Sequence, residues 1–225
     1  MNRRLPVLMS VLAAVVLAAC AAQRPTPTVR ESGDLRFKRG DYLGAAVEYQ
    51  EIVARYPGDW QAQYKLGLCQ IQLGQLAEAE RALTIAYTRR RDNAEIVDAL
   101  AQVMFQQGDE AQLFAFLRER AESTQTVRAY LRLARYSVEM KDPDSANVAL
   151  ETAIALDGGQ SVEPYLAAAD LAADLGDPEM AVYRLRQAFG IDPHDGRISD
   201  RLRALGEVPG PTIALPPGRD IIYEP

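Results

Sequence analysis

From residue 29 to residue 195 apolar positions recur every three or four residues in stretches of 12 to 14, separated by short polar or glycine-bearing breaks. That spacing predicts one amphipathic helix after another, with no alternating strand pattern between them. The breaks are themselves periodic: Gly40, Gly74, Gly108, Asp142 and Gly176 stand 34 residues apart. A fixed period of that size marks a stacked repeat. It divides 29–195 into five units, 26–59, 60–93, 94–127, 128–161 and 162–195, each a helix, a turn and a second helix. Asp142-Pro143 and Asp177-Pro178 have the form of an N-cap followed by proline at the first helical position.

Two columns of small residues follow the same period. Gly33, Gly67 and Ala101 fall on first helices, and Ala45, Ala79 and Ala181 on second ones. Helices approach to 8–10 Å where side chains at the crossing are small, so these columns mark where the two helices of a unit meet. Tyr49, Leu83, Leu117 and Leu185 return further along as filling. The fourth unit breaks the columns with Arg135, Asn147 and Glu151, and the third carries Arg120, so an altered helix angle is expected in unit four. After the repeats, 196–206 places Ile198, Leu202 and Leu205 on one face, as a capping helix over the last apolar surface would. The segment 207–225 holds five prolines and cannot be helical; it either docks in extended form through residues such as Ile213 and Leu215 or hangs free.

The pattern Gly40-Asp41-Tyr42 with Ala45 and Tyr49, the pattern Leu66-Gly67 with Gly74, Ala79, Leu83 and Ala86, and Pro57 and Pro193 at unit ends resemble the tetratricopeptide repeat. The resemblance implies an all-α, right-handed superhelical α-solenoid whose first helices line a concave groove. Carried over from that family, the groove residues are Arg30, Phe37, Tyr64, Ile71, Gln72, Asp98, Gln102, Phe105, Arg132 and Tyr136. Phe37, Ile71 and Phe105 repeat at 34 and form either an apolar stripe for a peptide or ordinary core between first helices. The basic carboxylate clamp of the family's best-known peptide binders is missing, and Asp98, Asp170 and Asp174 would repel a carboxylate.

The N-terminus adds a second theme. Arg3 and Arg4 precede an uncharged run from Leu5 to Ala18 of about 14 residues, too short for the ~20 a membrane-crossing helix needs and suited to an export signal at 1–19. Leu17-Ala18-Ala19-Cys20 resembles the lipobox of bacterial lipoproteins, which implies a diacylglycerol and an N-acyl chain on Cys20; a cleaved signal with an incidental cysteine is the alternative. Residues 20–28, with Pro25 and Pro27, read as a lipidated, semi-extended tether. Ala21 is not the aspartate that retains lipoproteins at the inner membrane in enteric-type sorting, so the resemblance implies a periplasm-facing anchor in the outer membrane.

Composition narrows the chemistry. With 25 Lys and Arg against 31 Asp and Glu, the chain is a poor partner for nucleic acid. Beyond Cys20 the only cysteine is Cys69, flanked by Leu66, Leu68 and Ile71 as a packing thiol would be. The single histidine, His194, has no nucleophile or metal-ligand set around it in sequence, and no glycine-rich phosphate loop occurs. Acids spaced two apart, as Glu78 and Glu80, do not share a helix face. The expectation is therefore no enzyme, no cofactor and no small-molecule substrate. The resemblance implies a lipid-anchored scaffold for a protein partner in assembly of an envelope machine such as a pilus, a secretion channel or the outer-membrane barrel machinery. The alternative is a structural envelope lipoprotein with no dedicated peptide groove.

Overall fold

The computed structural model describes residues 24–218; Cys20, the rest of the expected signal, and 219–225 lie outside the described residues. Within them are eleven α-helices and no strand. In order these are α1 (Thr26–Lys38), α2 (Tyr42–Arg55), α3 (Trp60–Gln72), α4 (Leu76–Arg89), α5 (Ala94–Gln107), α6 (Glu110–Thr124), α7 (Val127–Glu139), α8 (Pro143–Asp157), α9 (Glu163–Asp174), α10 (Pro178–Ile191) and α11 (Gly196–Ala204). The chain divides between Gly108 and Asp109 into two compact units.

In the first unit α1 packs on α2, α2 on α3, α3 on α4 and α4 on α5. Side chains that close helix N-termini recur along the unit: Asp41 accepts from Gly44 N at 2.9 Å, Asp59 from Ala62 N at 3.0 Å and Asn93 from Ile96 N at 3.0 Å. Gly40, Gly74 and Gly108 each hold positive φ, between 71° and 76°, which lets a helix stop and reverse within two residues. The core runs between the helix layers through Val29, Ala45, Tyr49, Ile52, Ala62, Leu66, Cys69 and Ala82. Gly33 and Gly67 sit at the expected crossings, where an added Cβ would meet Tyr49 at 3.0 Å and Leu83 at 2.7 Å. Burial pushes the Cys69 thiol up to about 12, as expected of a thiol used for packing.

The tether is shorter than the sequence suggests. Pro25 is the N-cap of α1 and Pro27 lies in its first turn, so 26–28 are helical; proline lacks an N–H that this position would leave unpaired anyway. Arg24 is also fixed, pairing with Glu48 at 2.8 Å and with Glu51, while its carbonyl accepts from Arg55 at 2.6 Å.

In the second unit α6 packs on α7, α7 on α8, α8 on α9, α9 on α10 and α10 on α11. Here the period slips. The residue in left-handed conformation before α8 is Lys141 at φ 58°, and Asp142 is the N-cap, accepting from Ser145 N at 3.1 Å. The slip begins where α6 ends: Gln125 at φ 47° and Thr126 as N-cap replace the longer connections that follow α2 and α4. Counted from Lys141, the crossing residues become Ala134 and Ala146 and the filling residue Leu150, all buried. Arg135 and Asn147, which broke the expected columns, are exposed. Unit four therefore keeps the repeat one residue early, and no altered packing is needed to accommodate those polar side chains.

The capping helix is α11, with Ile198 and Leu202 fully buried and Leu205 40% exposed. Beyond it the described part of the proline-rich segment docks on α10. Leu215 N donates to Arg186 O at 3.1 Å, and Arg186 Nε donates to Ile213 O at 2.8 Å.

Candidate partner-binding surface

The first unit carries an open cleft of about 440 Å³ lined by Arg30, Asp34, Trp60, Gln61, Tyr64, Lys65, Asn93 and Glu95. Its positions are set by helix starts. Trp60 is the first residue of α3 and Tyr64 lies one turn on, so the two rings share a face. Asp59 caps α3 with one oxygen and takes Arg30 at 2.5 Å with the other, tying α1 to the start of α3. Asp34 accepts from the Tyr49 hydroxyl at 2.7 Å; burial, and then that aspartate, hold the tyrosine well above its ordinary pKa. Arg90 stands 5.3 Å from the Trp60 ring centre. Tyr64 is half-buried, and burial, then Glu95 and Asp98, raise its hydroxyl.

Of the residues expected to form the groove, the structure brings Arg30 and Tyr64 into this cleft and leaves Asp98 half-buried beside it. Gln72 and Gln102 are exposed and Phe105 half-buried, outside its lining. The stripe resolves toward core. Ile71 is buried, and Phe37 packs against the core, edge-on to Tyr42 at 5.3 Å with Lys65 5.2 Å above its ring.

Arg132 and Tyr136 need correction. The one-residue slip turns both inward, to 8% and 5% exposure, and Tyr136 takes the place in the pattern that buried Cys69 holds in the second repeat. Arg128, Leu131, Arg135 and Val138 occupy the groove-type positions instead, and Arg135 lies 4.7 Å above the Tyr136 ring. Trp60, Lys65 and Asn93 were missed as site residues. The signal was available in Trp60, the only tryptophan, placed at the first position of a repeat. Among the described residues no group of three His, Cys, Asp or Glu side chains could hold a metal ion, and no helix is long and apolar enough to cross a membrane.

The Tetratricopeptide repeat family pattern matches residues 30–95. No curated protein sequence matches the chain. Among solved structures, the MamA protein is similar at 20% identity and TM-score 0.58, over 76% of this chain and 94% of that one. A thermophilic tetratricopeptide protein from Thermus thermophilus is similar at 19% identity and TM-score 0.52, over 80% and 98%. YrrB, described as a tetratricopeptide protein with an unusual peptide-binding site, is similar at 15% and 0.53, over 84% and 97%. The fold is an all-α solenoid of tetratricopeptide-type helix pairs, the architecture the sequence pattern predicts.

Proposed function

We propose that this chain is a scaffold that binds a protein partner through the first-unit cleft, and that it is a lipoprotein serving assembly of an envelope machine. The observation that carries the binding role is the pair Trp60 and Tyr64, side by side in a cleft whose charged neighbours Arg30 and Asp34 are already paired. Two aromatic faces beside Gln61 and Asn93 suit an extended or helical protein segment, whose backbone the amides can bond. Among similar folds, one is described as binding peptide, which supports the same use here. Phe37 and Ile71, consumed by packing, would favour a structural lipoprotein only if the cleft bound nothing.

The anchoring role rests on Leu17-Ala18-Ala19-Cys20. Arg24, held by Glu48 and Glu51, is four residues from Cys20, a span of at most about 14 Å, so acylation would hold the first unit close against the leaflet. We place that leaflet in the outer membrane, facing the periplasm, with a pilus, secretion or outer-membrane biogenesis complex as the setting.

The test has two arms. Cys20→Ser should abolish palmitate labelling and release the body from membranes; persistent label rejects the anchor. The partner recovered with the wild-type protein from solubilised envelopes should lose about 30-fold or more in affinity for Trp60→Ala/Tyr64→Ala, because buried aromatic anchors cost roughly 2 kcal/mol or more on truncation. Unchanged affinity in a variant of unchanged helicity rejects the cleft.

A further inference from the structure

The docked C-terminal strap, a turn closed by Ile213 N to Gly210 O at 3.1 Å and then the proline-restricted run to Gly218, shows how α10 receives a main chain. Among the described residues, hydrogen bonds to main-chain atoms of the strap hold it: Leu215 N to Arg186 O at 3.1 Å, Arg186 Nε to Ile213 O at 2.8 Å, and Gln187 Nε2 to Gly218 O at 3.2 Å. Gln187 is itself 1% exposed, and its carbonyl oxygen accepts from buried Arg184 at 3.0 Å, so the amide that reads Gly218 is oriented from beneath. Arg184 is held in turn by Glu151 of α8.

Two glycines complete the seat. A Cβ on Gly190 would stand 2.2 Å from Leu215 O, closer than any real contact, although this residue lies in α10 and has no backbone need to be glycine. At Gly159 a Cβ would stand 2.5 Å from Pro217. The missing side chains leave room for a backbone at one end and for a proline ring at the other. The side chains of the strap contribute little beyond that: Ile213 and Leu215 are half-buried and Pro216 and Pro217 exposed. Such a seat reads an extended, proline-restricted main chain, a mode of recognition that gains from the low conformational freedom of the ligand.

We propose that the α10 face between Gly159 and Gly190 is a binding site for an extended segment of the Leu-Pro-Pro-Gly kind, and that the chain's own residues 212–218 occupy it in cis as an exchangeable plug. The site lies in the second unit and is independent of the first-unit cleft. Covalent attachment gives the plug an effective concentration on the order of millimolar, so a free segment of the same chemistry competes only weakly until the strap is removed or weakened.

The probe is a synthetic peptide of residues 209–218 carrying a fluorophore at its N-terminus, titrated by anisotropy against four proteins of verified helicity. Protein ending at Val208 should bind it, and the full chain should bind at least about tenfold more weakly because the tethered strap competes. Full-length Leu215→Pro, which removes the N–H donated to Arg186 O together with the half-buried leucine side chain, should bind between the two and covers the case in which the shortened chain misfolds. The shortened chain carrying Gly190→Ala should not bind, since the new Cβ stands where the peptide backbone must lie. Equal binding to the full and shortened chains, absence of binding to both the shortened chain and Leu215→Pro, or retained binding with Gly190→Ala would each overturn the proposal.

Discussion

Replacing Gly67 by alanine sets two effects of known sign against each other. In an exposed helix interior the change should stabilise by about 1 kcal/mol, because glycine is the poorer helix former. At the α3–α4 crossing the new Cβ would lie 2.7 Å from Leu83 Cγ and 2.9 Å from its Cδ2, where apolar carbons settle at ~3.5–4.0 Å. Cγ is the branch point of a fully buried side chain, so relief requires moving α4 or leaving the favoured rotamer. Overpacking of that kind costs roughly 1–3 kcal/mol. The two together predict net destabilisation of about 1 kcal/mol. Gly196→Ala is the internal control: nothing lies within 4 Å of its Cβ position, its φ is not left-handed, and it should stabilise by about 0.4–1 kcal/mol. Leu83→Ala adds the second axis, since the alanine methyl at 67 partly fills the space that Leu83 vacates and the pair should couple favourably by about 0.5 kcal/mol or more. Urea unfolding followed by Trp60 fluorescence reports on the first unit, which holds the only tryptophan, and far-ultraviolet circular dichroism reads the Gly196→Ala control in the second unit. A rise in the midpoint for Gly67→Ala at unchanged slope, matching an ordinary helix-interior substitution, would refute the crossing as described.

Lys141→Gly should raise stability by about 0.5–1 kcal/mol, because at φ 58° a lysine bears backbone strain that glycine does not; a lower thermal midpoint would show that Lys141 is not the turn residue before α8. Acid should weaken the first unit through Glu48. Burial alone would raise its pKa, but the hydrogen bond from Arg24, that from Ser32 and the charges of Arg24 and Arg36 outweigh burial and lower it. A depressed folded pKa gives stability that is present above the unfolded value near 4.5 and is lost as pH falls through the folded one, so stability should be flat from about pH 7 to 5 and decline below about 4.5. Glu48→Gln should flatten that decline in urea midpoints measured against pH, and an identical acid slope in the variant would count against the Arg24 clamp.

What the sequence made legible was set by how each feature is encoded. The helix pairs of the first unit are written redundantly, in apolar period, glycine at the stop and Asp or Asn at the next start; all three agree at Gly40-Asp41, and at Gly74 the period and the glycine agree although Gln75 supplies no side-chain cap. The tether was misread because proline at a helix start and proline in a coil look alike until the caps are seen, and because the Arg24 clamp joins residues more than twenty positions apart. Docking of 212–218 was undetermined for a similar reason: its partners Arg186 and Gln187 bind main chain, which leaves no mark in the side chains of the strap. The groove error at Arg132 and Tyr136 has a sharper cause. Glycine is a good marker of a left-handed turn only where glycine fills it, and at the fourth turn Lys141 does, so Asp142 was counted as the turn when it is the N-cap. The alternative register stood in the packing residues all along: Leu66-Gly67, Ala79 and Ala82-Leu83 recur as Leu133-Ala134, Ala146 and Ala149-Leu150, 67 rather than 68 residues later. Positions fixed by interdigitation with a neighbouring helix change little, whereas a turn tolerates any residue that can bear a modest strain, so a repeat is better registered on its crossings than on its stops.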